Sequence, residues 1–96
     1  MSPNETARIV QHSREMEAVQ QIRSREDFAA FVRLLLRNRE AKPGEWENRD
    51  LPTFLDALAA WVEDMDGYYR NLGQPLPDQP SWKMLGQMLL AAKVYE

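Results

Sequence analysis

The chain contains no cysteine. That absence removes disulfides, thiolate metal sites and cysteine nucleophiles together, fits a reducing cytoplasm, and leaves packing alone to hold the fold. Histidine is nearly as scarce, with His12 the only one. A zinc site built on imidazole or a serine–histidine pair would have to use that residue. Ser2 and Ser13 lie near the N-terminus, and Ser24 and Ser81 read as helix caps, so no nucleophile stands out. Four scattered glycines make no phosphate-cradling loop. Long apolar runs are also missing. Uncharged stretches such as Met84–Ala92 fall far short of the roughly 20 residues a membrane span needs, and the N-terminus has no apolar signal segment. The sequence therefore implies no cofactor, no metal, no membrane partner, and a chain that is not an enzyme.

What is present is a balanced globular composition: 96 residues, 44% hydrophobic and 28% charged, enough for one small domain and too apolar for disorder. The net charge of −3 divides unevenly. Residues 1–44 hold eight Lys/Arg against six Asp/Glu, a net of +2, and residues 45–96 hold four against nine, a net of −5. The acidic half repels nucleic acid and anionic membrane. In the other half Glu5, Glu15, Glu17, Glu26 and Asp27 are interleaved with the arginines, so no concentrated phosphate-binding surface is expected.

The strongest periodic signal is Asp50–Tyr69, and it reads as the helix around which the chain is organised. At about 100° per residue, Leu51, Phe54, Leu55, Leu58, Trp61, Val62, Met65, Tyr68 and Tyr69 fall on one side. Asp50 is a good N-cap, and Pro52 suits the first turn, where a missing N–H costs little. Thr53, Ala57, Ala60 and Asp64 make a second, small-residue side that allows close approach by the N-terminal segment or by a partner.

Before that helix, residues 1–14 read as a flexible tail with only Ile9 and Val10 as an apolar pair. A short helix is expected over 15–22. Ser24 with Asp27 suggests a variant capping box opening a helix over 25–40, with Phe28, Phe31, Val32, Leu35 and Leu36 inward and Arg33 and Arg37 outward. Pro43 and Gly44 stop it. In the following loop Trp46 is expected to fold over Leu51 or Leu55, and Asn48 to make a local turn. Asn71 or Gly73 suits a left-handed helix end. Pro75, Pro77 and Pro80 then stiffen a strap, and Ser81 caps a last helix over 82–94. The fold expected is all-α: a small single-domain bundle over 15–96 of three main helices plus a short N-terminal one.

Paired carboxylates carry little chemistry here. Asp64-Met65-Asp66-Gly67 evokes a calcium loop, yet its first and twelfth positions would be Val62 and Gly73, where oxygen ligands are required. Asp56 and Glu63 sit two helical turns apart, about 10 Å, wide for acid–base work on one small substrate.

The run Trp46-Glu47-Asn48, then Asp50-Leu51, Phe54-Leu55, Ala57-Leu58-Ala59 and Trp61 resembles a small bacterial family of domains of unknown function. Gly67-Tyr68-Tyr69, Pro80-Ser81-Trp82, Ala91-Ala92 and Tyr95 resemble it too. The resemblance spans about Ser24 to Glu96, implies one fold unit and transfers no mechanism. The function expected is a cytoplasmic protein–protein interaction module of regulatory or immunity-like accessory type, offering Asp56, Glu63 and Asp64 to a basic partner protein. The alternative is a small-molecule binder or small enzyme with an aromatic-walled pocket of Trp46, Asp50, Asp66, Tyr68 and Trp82.

Overall fold

The computed structural model describes residues 2–11 and 13–96, and His12 lies outside the described residues. Five helices form in chain order: α1 (Pro3–Gln11), α2 (Glu15–Gln20), α3 (Arg25–Ala41), α4 (Leu51–Asn71) and α5 (Trp82–Ala92), with a 3₁₀ turn at Pro43–Glu45 between α3 and α4. No strand occurs among the described residues. The fold is an all-α compact globule.

The helix starts are where capping chemistry puts them. Ser24 Oγ accepts from the Asp27 N–H at 3.1 Å, Asp50 Oδ1 from the Thr53 N–H at 2.9 Å, and Ser81 Oγ from the Met84 N–H at 3.0 Å. Each satisfies a donor the helix itself leaves orphaned. α4 ends in a Gly73 whose φ of 68° lets the Gln74 N–H reach the Tyr69 carbonyl at 3.0 Å, the Schellman closure that glycine permits.

Two expectations need correction. Where residues 1–14 read as a tail, Pro3–Gln11 is a helix packed against α4 and α5. Its buried side is Thr6, Ala7 and Val10, while Ile9 remains 46% exposed. Small residues carry that contact, so a search for large apolar periodicity passes over it. They meet the small-residue side of α4, where Ala57 is buried and Ala60 packs on the same cluster as Ala7.

The second correction is the organising element. α5, not α4, packs against every other helix. One core cluster joins Ala7 with Ala57, Trp61, Met65, Met84, Ala91, Ala92 and Tyr95. The other joins Val10, Val19, Ile22, Phe31, Leu35, Trp46, Leu90 and Val94. α5 feeds both, being apolar nearly all round, as a central helix must be. Gly86 lets it press against the segment just after α2 and against α3: a Cβ there would lie 2.5 Å from Ile22 Cδ1 and 3.6 Å from Phe31 Cδ1.

α4 is accordingly turned from the predicted phase. Trp61, Met65 and Ala57 are its buried line, and Leu51, Leu55 and Val62 stand at one flank, 68%, 52% and 43% exposed.

Candidate functional site

α3 packs on α5 and α4 packs on α5, but the backbones of α3 and α4 do not approach one another closely. Between them runs a groove of about 400 Å³ whose walls include Val32, Leu35 and Leu36 from α3 and Leu51 and Phe54 from α4. Trp46 and Leu89 close its floor. Val32 and Leu36 are 40% and 58% exposed, so together with the open flank of α4 they form an apolar face left uncovered among the described residues.

The floor is rigid because its polar atoms are spoken for. The Trp46 indole N–H donates to Asn38 Oδ1 at 2.8 Å, and Asn38 Nδ2 donates to Glu15 Oε1 at 3.0 Å. The Trp46 ring packs on Phe54, centroids 5.9 Å apart. On the same residue, Lys93 Nζ lies 5.6 Å from the ring centroid and 3.8 Å from Glu45 Oε2, a cation–π contact closed by a carboxylate.

At the Asp50 end two arginines are held in place. Arg49 Nε donates to the Trp46 carbonyl at 3.0 Å, and Arg39 Nε donates to the Arg49 carbonyl at 3.1 Å. A guanidinium anchored through Nε keeps its terminal Nη groups as further donors, the kind a carboxylate accepts. Neither arginine has an ion pair among the described residues. The Asp50 carboxylate beside them is committed to the α4 cap, and the Thr53 backbone N–H holds its pKa below the ordinary value.

The five residues read as one aromatic pocket are not brought together. Trp46 and Asp50 line this groove. Tyr68 packs edge-on to Tyr69 and against Trp61 in a narrow depression between α1, α4 and α5. Trp82 lies on the outside of α5, 42% exposed, against Phe28 at 5.5 Å. Asp66 accepts from Arg70 Nη2 at 3.1 Å on the surface. Of the three acidic residues read as a partner surface, Asp56 and Glu63 are exposed and form no ion pair among the described residues. Asp64 instead accepts from the Tyr95 hydroxyl. Burial first, then that bond and the neighbouring charge, push the Tyr95 pKa up to about 12. Among the described residues no group of three or more acidic or imidazole side chains could hold a metal ion, and no described helix is long and apolar enough to cross a membrane.

Sequence reasoning missed Arg39 and Arg49 as groove residues, and placed Val32, Leu36, Leu51, Leu55 and Val62 inside. The nine apolar residues read on α4 are spread over about five turns, three or four to every two turns, an ordinary core-facing density, so nothing in their spacing marked which of them stay exposed.

Several residues that carry the family resemblance have structural duties here. Asn48 Nδ2 donates to the Ala92 and Tyr95 carbonyls at 2.9 and 2.8 Å, and the Asn48 N–H donates to the Lys93 carbonyl at 3.2 Å. Trp46, Ala91 and Ala92 are buried. No curated protein and no solved structure matches the chain. A family model does match, across residues 24–96, three quarters of the sequence and all of α3, α4 and α5. The chain belongs to DUF7660, a family of unknown function.

Proposed function

We propose that this chain is a protein-interaction module, of regulatory or immunity-like accessory type, that docks a helical segment of another protein in the groove between α3 and α4. The observation that carries this reading is the uncovered apolar face: Leu36, Leu51 and Leu55 are each more than half exposed over a floor that is already fully packed. A groove with apolar walls and a charged rim suits an amphipathic helix whose apolar residues recur every three or four positions. The unpaired Asp56 and Glu63 on the outer side of α4 favour a partner carrying basic residues beside its apolar stripe, which makes capture sensitive to salt. No comparable observation favours the aromatic pocket, whose Asp66, Tyr68 and Trp82 lie away from Trp46 and Asp50.

The test is a pull-down from extracts of the source cells at low and high salt. The wild-type chain is run beside Leu36→Glu with Leu55→Glu. Both sites are exposed, so the fold is expected to survive. A partner held by the wild type, released by salt and lost in the double variant is the expected outcome. An identical capture profile for both proteins removes the groove from the function.

A further inference from the structure

We infer that this groove also accepts α4 of a second copy of the chain, giving a two-fold symmetric dimer in the absence of a foreign helix; this rests on the reading of the face above. Leu51, Leu55, Leu58 and Val62 are spaced four, three and four residues apart. That is the seam spacing of paired helices, and it reads the same in both directions. An antiparallel pair centred between Asp56 and Ala57 therefore sets Leu51 against Val62 of the second copy and Leu55 against its Leu58, twice over, as an isologous interface requires. The seam is about 16 Å long. Three of its four residues are substantially exposed, Leu51 at 68%, Leu55 at 52% and Val62 at 43%, and Val32 and Leu36 of α3 stand ready as the second wall of the groove.

Charge fits the same arrangement. Antiparallel pairing brings the C-terminal half of one α4 over the N-terminal end of the other. There Arg49 and Arg39, anchored through Nε and without an ion pair among the described residues, meet Asp66, which flanks the seam one position beyond Met65. The intramolecular partner of Asp66 is Arg70, with both side chains more than half exposed, a surface pair worth little and readily exchanged. Parallel pairing would put Arg49 against Arg49 and Asp66 against Asp66.

Sedimentation equilibrium on the intact chain in about 50 mM salt, where charge pairs are least screened, tests this. The wild type is expected to dimerise with a micromolar constant, and Leu55→Arg to be monomeric with unchanged helical circular dichroism. Leu51→Arg serves as the second variant should the first fail to fold. Arg49→Glu and Asp66→Arg are each expected to weaken self-association about tenfold, and the two combined in one chain to restore it. A wild type still monomeric at about 0.1 mM, well above the constant expected of a standard interface of about 800 Å² a side, overturns the proposal. So does a Leu55→Arg dimer as tight as the wild type, or a double charge reversal that restores nothing. A monomer that nevertheless loses a foreign partner through Leu36→Glu with Leu55→Glu removes the second copy and keeps the docking groove.

Discussion

Asn48 ties the middle of the chain to its last turn: its side-chain N–H groups donate to the carbonyls of Ala92 at 2.9 Å and Tyr95 at 2.8 Å. These acceptors lie at the end of α5, where helix carbonyls lack intrahelical donors. One amide thus does the work of a C-cap from 44 residues away. Asn48→Ala is expected to cost about 2 kcal/mol, since it leaves two part-buried acceptors unmet. Asn48→Asp should cost more, because a carboxylate sets oxygens against both carbonyls. Urea denaturation of the three proteins gives the order, and an Asp variant as stable as wild type would refute the assignment.

Tyr95 sets the alkaline limit. Its hydroxyl donates to the Asp64 carboxylate, and its pKa is raised from 10.0 to about 12, mainly by burial. A tyrosine whose folded pKa exceeds its unfolded one holds its proton longer when folded. Its stabilising contribution is complete below pH 10 and is lost as pH climbs toward about 12. Tyr69 is shifted in the same direction by burial, so the comparison must be with Tyr95→Phe. That variant is expected to be less stable at neutral pH and to lose less between pH 10 and 12.

The turn of α4 about its axis makes a paired prediction. Trp61, 5% exposed, is expected to cost about 3–5 kcal/mol on truncation to alanine. Leu55→Ala, measured on dilute protein, should stay within about 0.5 kcal/mol of wild type. The phase read from the sequence placed both on the buried side. Equal losses at the two positions would restore that phase.

Thr6 is fully buried, and its hydroxyl has no hydrogen-bond partner among the described residues. Thr6→Val keeps the shape and removes the orphaned oxygen. It is expected to raise stability by about 1 kcal/mol, visible as a higher melting temperature, and a clear loss would mean that the oxygen is in fact bonded.

The sequence made the helices legible because their ends are written in local chemistry. Ser24, Asp50, Ser81 and Gly73 act within three or four residues of themselves; the first three read as caps, and of the two residues that suited the left-handed end, Asn71 and Gly73, the glycine takes it. What stayed hidden depends on distance. Asn48 looked like a local turn residue because its acceptors are more than forty positions away. α1 looked like a tail because Thr6 and Ala7 bury little apolar area of their own and gain their place only from Ala57 and Ala91 opposite. The rotation of α4 followed from the same limit. An apolar stripe of ordinary density does not say how much of it a neighbour will cover and how much is left over; the position of α5 decides that. The groove is that remainder, and Arg39 and Arg49 join it because the loop from Lys42 to Asp50 folds back through Trp46, a closure no spacing announces.

The central place of α5 has a consequence for how the molecule comes into being. Chain synthesis delivers α1 to α4 first, and both core clusters draw on residues of α5 or just after it: Met84, Ala91, Ala92 and Tyr95 in one, Leu90 and Val94 in the other. Without those residues Trp61 and Met65 on one side and Phe31 and Leu35 on the other lose the helix that joins their two clusters. The core therefore closes as a unit only when α5 has taken its place among the helices that precede it.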